Sequence, residues 1–354
     1  MKRFCLLVAT ACLLGFAGFD AAAQTAVSVG WCSRTISAAA APFAVAMKMG
    51  WYAHDGINVE LVPLAGGTDC VKLVATKEIP YALAPAEPLA IIRQQGVKAR
   101  IFYNAYQGNV FGIAVPQGSA ITKIIDLKDK RIGVTSMSST GVIIARALAA
   151  NAGLNPDLDI HIVVAGEGAQ TAALLRAGQI DALSQFDTQY AMVENAGVKL
   201  RFLSTGEFER FPSNGFLALE ETLRSNRKQA VALAQGYAKG TVFTIANPEA
   251  AIRILWEIYP ETKPTGIDEA TALREGVTTL EARIPNWKLE KSGVSKWGES
   301  SGKSYSAYVD FMQKWGVVKE KVPANELITN DLIDEINNFS QPDIIAMAKA
   351  YKQK

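Results

Sequence analysis

The feature that most constrains this chain of 354 residues is an internal repeat. Gly96-Val97-Lys98-Ala99-Arg100 returns as Gly197-Val198-Lys199-Leu200-Arg201, 101 positions later. What precedes each copy follows one plan. The first copy opens with a strand at 27–31, a Ser/Thr-rich loop and a helix from near Pro42, a residue suited to a first helical turn. Asp55-Gly56-Ile57 then turns into the alternating strand 58–64, and Gly66-Gly67-Thr68 starts a helix to about Thr76. A strand at 79–84, a helix from about Glu87 to Gln95 and a strand from 99 close the unit. The second copy runs through strand 131–135, helix Thr140 to Asn151, strand 160–165, the loop Gly166-Glu167-Gly168 and a helix to about Ala177. It ends with strand 180–185, a helix to about Asn195 and a strand from 200, so that each copy alternates strands with helices throughout.

Strands that alternate with helices imply parallel sheets covered on both faces, and two copies imply two doubly wound α/β lobes. Residues 216–354 break the pattern, with a short strand from Phe216 to Leu219 followed by helices and the breakers Asn247-Pro248 and Tyr259-Pro260. The expected division is 27–114 as the first part of lobe one, 115–215 as lobe two, and 216–354 as a return to lobe one plus a helical tail. Connections near Gly112 to Gly118 and Phe211 to Gly215 carry the chain out and back. A composition of 49% hydrophobic and 20% charged residues with net charge +2 suits a globular chain and excludes a disordered or collagen-like one. It also shows no basic footprint for nucleic acid.

The first 23 residues read as an address. Lys2 and Arg3 precede an apolar run from Phe4 to Phe19, and Ala21-Ala22-Ala23 supplies a small-residue cleavage site, the three parts of a secretory signal peptide. The run is shorter than a membrane span, and Cys12 lacks the large aliphatic residue that precedes a lipidated cysteine. Cleavage after Ala23 removes Cys5 and Cys12 and leaves Cys32 and Cys70 in a compartment where disulfides persist.

Several stretches resemble a known family: GWCSR at 30–34, AMKMGWYAHDGINVELVPLAGGTD, LKDKRIGVTSMSSTGVIIARALAANAGLNP and LLRAGQIDAL. They are similar to the periplasmic substrate-binding proteins of the taurine, alkanesulfonate, nitrate and thiamine-precursor class, grouped as NMT1/THI5-like. The resemblance implies a type II periplasmic binding fold, a periplasmic location, a small-molecule ligand and an ABC permease in the inner membrane as partner. It implies no cofactor or metal, and the chain is expected to act as a monomer.

Loops at strand ends and helix starts from both lobes should meet in a cleft that closes by hinge motion around a small ligand. In the first lobe these are Ser33, Arg34 and Thr35 after the first strand, and Gly67 and Thr68 at the next helix start. Arg34 fits either a bidentate clamp on a carboxylate or sulfonate or a solvated loop cation. In the second lobe Ser138, Ser139 and Thr140 place hydroxyls and backbone N–H groups at the mouth of a helix, a ready acceptor site for anionic or carbonyl oxygens. The loop lacks the Gly-Lys pair of a nucleotide-binding loop. Glu87 and Asp187 hold corresponding places in the two copies, so both are expected at the cleft. There they would favour ligands with N–H donors, although acidic residues at helix starts also suit the helix dipole. Tyr106 and Phe186 can supply aromatic walls or ordinary packing. Cys32 ends the first strand and Cys70 begins the helix after the second; neighbouring parallel strands bring both to one sheet edge, so the pair reads either as a bridge or as two buried thiols.

Catalytic residues are few. His54 and His161 are the two histidines, one in a turn and one inside a strand, with no nucleophile elbow and no zinc spacing. The yeast thiamine pyrimidine synthase, which shares the family, carries a cysteine cluster that this chain lacks. The expected role is therefore capture of a small polar organic solute for an ABC permease. Presentation of that solute to a membrane sensor is a second reading, and a synthase-type enzyme a remote third.

Overall fold

A computed structural model describes residues 24–352; residues 1–23, read above as a signal peptide, lie outside the described residues. Among the described residues ten strands form two sheets. In chain order they are β1 (Thr25–Trp31), β2 (Ile57–Pro63), β3 (Tyr81–Ala84), β4 (Ala99–Tyr103), β5 (Ile113–Pro116), β6 (Lys130–Val134), β7 (Ile160–Val164), β8 (Ala182–Leu183), β9 (Leu200–Leu203) and β10 (Gly215–Leu219). The first sheet has the order β2-β1-β3-β10-β4 and the second β7-β6-β8-β5-β9, so the repeat read from the letters is also a repeat in space. Its helix-ending glycines share a left-handed backbone: Gly96 has φ +89° and Gly197 φ +88°, a conformation that costs a Cβ-bearing residue more than glycine.

The expectation of purely parallel sheets needs correction. β1 pairs in parallel with β2 and β3, and β6 with β7 and β8, but β10 runs antiparallel between β3 and β4, and β5 antiparallel between β8 and β9. Residues 113–116, read as connection, are thus a strand of the second sheet. Each crossing segment enters the opposite sheet at its cleft edge, runs against its neighbours and fills the gap that the repeat itself leaves between its last two strands. Four-residue strands with Pro116 at one end give little periodic signal.

The helical tail packs mainly on the first sheet's side. Helix Arg227–Ala246 lies against helix Ala41–Lys48, and helices Pro248–Ile258 and Gln341–Ala350 pack around them. Phe43, Tyr103, Phe216 and Tyr237 meet edge to face or tilted in this core, with ring centroids 4.8–5.9 Å apart. A second buried cluster runs without a break from Val71 and Leu89 beside the first sheet to Ile144 and Leu148 beside the second. The amphipathic stretch Asp331 to Phe339 is helical only over Ile333–Ile336. Among the described residues no helix is long and apolar enough to cross a membrane.

Candidate functional site

The carboxyl ends of β1, β2 and β3 face those of β6, β7 and β8, and the loops beyond them touch. Six hydrogen bonds stitch the facing loops. The Glu167 carboxylate, in the β7 loop, accepts hydrogen bonds from Ser33 Oγ at 2.7 Å, the Arg34 backbone N–H at 3.2 Å and the Thr35 hydroxyl. The Thr68 N–H donates to the Ser138 carbonyl at 3.2 Å, and Ser136 Oγ to the Ala65 carbonyl. Ser138 Oγ donates to Asp69 Oδ1 at 3.0 Å.

Behind these contacts lies a cavity of about 40 Å³, room for roughly three water-sized groups. Trp31, Leu83, Pro85, Tyr106, Val110, Phe111 and Phe186 supply apolar walls, and Ser33, Ser139, Thr140, Asn214 and Arg283 the polar groups. Ser139 caps helix Thr140–Asn151 by accepting from the Gly141 N–H, while the buried Thr140 Oγ1 has no hydrogen-bond partner among the described residues. Gly67 also lines the space; a Cβ there would crowd the Thr140 hydroxyl and come within 2.7 Å of Pro85 Cγ. Cys32, at the cavity wall, is bridged to Cys70 with the Cα atoms 5.8 Å apart, which ties the β1 loop to the start of helix Gly67–Ala75.

Of the residues singled out in the sequence, Ser33, Gly67, Tyr106, Ser139, Thr140 and Phe186 line this cavity. Arg34 does not: its side chain is exposed, and only its backbone joins the Glu167 contact. Thr35, Thr68 and Ser138 close the rim. Glu87 requires correction. It is 2% exposed, receives the Tyr308 hydroxyl, and burial pushes its carboxyl up to about 7 against the opposing pull of that hydrogen bond. Asp187 stands beside the cavity but is committed to the protein itself. Arg283 Nε donates to it at 2.8 and 2.9 Å, Arg283 Nη2 also donates, and Asn286 Nδ2 adds a bond of 2.9 Å. Burial works against the Arg283 charge, yet Asp187 holds its pKa above the ordinary guanidinium value. The Arg283 guanidinium also stacks on the Tyr106 ring, 4.1 Å from its centroid.

Sequence reasoning missed Glu167, Arg283 and Trp31. Glu167 had a signal, because Gly166-Glu167-Gly168 occupies the repeat position of Gly66-Gly67-Thr68. Arg283 had none: it comes from helix Glu269–Trp287 of the non-repeating tail.

Residues 37–251 match the NMT1/THI5 like family. The chain belongs to that family. No protein of curated function matches it. Among solved structures, this NMT1/THI5-like protein is similar to one from Bordetella bronchiseptica RB50, with 19% identity, TM-score 0.69, and 89% of this chain and 97% of that chain covered. It is also similar to the alkanesulfonate-binding protein SsuA from Xanthomonas axonopodis pv. citri, with 18% identity, TM-score 0.63 and coverage of 87% and 98%. The periplasmic nitrate-binding protein NrtA from Synechocystis PCC 6803 matches with 16% identity, TM-score 0.60 and coverage of 93% and 99%. The NMT1/THI5-like chain thus has the type II periplasmic binding protein fold with a helical carboxy-terminal region. Among its described residues no His, Cys, Asp and Glu side chains cluster so as to hold a metal ion.

Proposed function

We propose that this protein is the solute-binding component of an ABC importer, exported to the periplasm, acting as a monomer. It captures a small organic molecule between its lobes by hinge closure and hands it to an inner-membrane permease. The observation that carries this reading is the set of side-chain and backbone hydrogen bonds that join the facing loops directly over a walled cavity. Such contacts form only when the lobes are shut, so a ligand that fills the cavity stabilises the shut state by mass action. Ser33, Gly67, Tyr106, Ser139, Thr140 and Phe186 would touch the ligand, with Thr35, Thr68 and Ser138 forming the rim. The fold neighbours are named as binding proteins, which supports binding over catalysis for this chain.

The test is a thermal-shift screen of purified protein against sulfonates, carboxylates, pyrimidines, amines and amino acids, with X-ray scattering on each hit. A hit should raise the melting temperature by several degrees and reduce the radius of gyration. Absence of any stabilising solute, or hits that leave the scattering unchanged, overturns capture by closure.

A further inference from the structure

Resting on the reading of capture by closure, we propose that Arg283 is a positioning residue for that motion. The lobes turn about two fixed points, the Asp187–Arg283 pair and the apolar seam between helices Ala86–Arg93 and Thr140–Asn151, and they part at the far end of helix Asp187–Asn195.

Besides the rim, two helix pairs join the lobes, and they differ in what parting would expose. Helix Ala86–Arg93 of the first lobe touches helix Thr140–Asn151 of the second. Leu89, Ala90, Ile144 and Leu148 are buried in one apolar cluster there, which also holds Phe208 and Phe211 of the segment returning to the first lobe. Separating these helices would put apolar surface into water with nothing gained in exchange. This seam stays shut.

The other pair is polar. Helix Glu269–Trp287 is built into the first lobe: Ala272, Leu280 and Trp287 belong to its core, and Trp287 Nε1 donates to the Tyr237 hydroxyl at 3.2 Å. The same helix lies antiparallel along helix Asp187–Asn195 of the second lobe. The two ends of that contact are unlike. At one end the Arg283 and Asp187 side chains are 3% and 13% exposed, and parting them would leave charges buried without partners. The segment between β4 and β5 is fastened to both neighbours: the Gly108 N–H donates to the Asn286 carbonyl at 3.1 Å, and the Asp187 N–H to the Val110 carbonyl at 2.9 Å. The pair therefore sits where the chain itself passes between lobes, the place that a rotation moves least.

At the other end Asn195 Nδ2 donates to the Glu275 carbonyl and to Thr279 Oγ1, each at 3.1 Å. These are neutral bonds, which water replaces at small net cost. Packing beyond them is already open, because a crevice of about 560 Å³ runs between Met192, Asn195 and Ala196 on one wall and Glu275, Gly276 and Thr279 on the other. Asn195 stands about 12 Å along its helix from Asp187. Two fixed points define a line, and every contact off that line moves in proportion to its distance from it. Arg283 thus sets the track on which Ser33 returns to Glu167.

The test places spin labels on cysteines introduced at exposed positions, Asn58, Lys72 and Gln95 in the first lobe and Asn151, His161 and Lys199 in the second. Each sample carries one label per lobe, and the protein is refolded from guanidinium with its disulfide intact to strip any bound solute. The set of interlobe distances from electron–electron resonance places one lobe on the other, and the shut structure is the reference. The expected rotation changes the separations of the α-carbons of Asp187 and Arg283, and of the two apolar helices, by less than about 3 Å, one hydrogen-bond length. Asn195 and Thr279 should move apart by more than that. Arg283→Gln with Asp187→Asn should at least double the widths of the distance distributions, Arg283→Lys should restore narrow ones, and Asn195→Ala should leave the widths unchanged. Circular dichroism checks folding, and the wild-type distances decide the axis whether or not a variant folds. An open form in which Asp187 has left Arg283, or the apolar helices have parted, overturns the pivot and leaves capture by closure standing. Distances equal to those of the shut structure in every sample overturn closure itself, and the pivot with it.

Discussion

The Gly66 α-carbon rests against the peptide between Ser138 and Ser139 of the facing lobe, so closely that a Cβ there would stand 2.7 Å from the Ser139 nitrogen and nearer still to the Ser138 carbonyl. On the proposed hinge motion this contact exists only across the shut cleft. Gly66→Ala should therefore spare the open protein and penalise closure. Overpacking of this kind costs about 1–3 kcal/mol, which predicts ligand binding roughly 5- to 150-fold weaker. Calorimetry should show that loss while the melting temperature without ligand stays within about 2 °C of wild type; unchanged affinity would mean that closure does not bring these loops together.

Glu167 gathers three donors from the β1 loop. Glu167→Ala strands the Ser33 and Thr35 hydroxyls and removes a charge-assisted clasp, part of which faces solvent. A faster release of bound solute, by roughly tenfold, with little change in the association rate is expected. Stopped-flow fluorescence, with Trp31 in the cavity wall as reporter, measures both rates.

The bridge between Cys32 and Cys70 closes a loop with a sequence separation of 38. On the chain-entropy model that closure contributes about 4 kcal/mol. Cys32→Ser with Cys70→Ser should lower the denaturation midpoint correspondingly, and thiol titration of the denatured, unreduced wild type should find neither cysteine free. The same double variant should bind solute more weakly, because the bridge holds two loops of the cavity together.

Glu87 makes stability depend on pH in the direction opposite to most carboxylates. Burial raises its folded-state pKa from 4.5 to about 7, so between those values the native state keeps a proton that the unfolded chain has released. Its contribution is therefore fully present below about pH 4.5, is lost progressively up to about pH 7, and changes no further above that. The total is on the order of 3 kcal/mol. Glu87→Gln keeps an oxygen for the Tyr308 hydroxyl and removes the titration. Urea midpoints measured from pH 4.5 to 8 should fall more steeply for wild type than for this variant, and parallel curves would remove Glu87 as the cause.

Much of the architecture was legible because it depends on local pattern. The helix predicted over Thr140 to Asn151 has those bounds in the structure, since Ser139 is an ordinary N-cap and the run that follows is helix-forming. Strand 180–185 shrank to Ala182–Leu183, because on one side it pairs with the inserted β5 over a single register position. The site was legible in half. Ser33, Gly67, Ser139 and Thr140 sit at helix and strand ends that the repeat locates; Glu87 shares the position of Asp187 but lies under Tyr308, which is 221 residues away in the chain.

By itself, then, the sequence determined that the chain holds two α/β units of one plan, because periodicity, turn residues and the doubled Gly-Val-Lys segment are properties of neighbours along the chain. Only the tertiary structure decided which groups the cleft leaves open to a ligand. Whether an acid is bare or balanced depends on what distant side chain reaches it. Arg283 meets Asp187 across 96 residues, and no local pattern carries that distance.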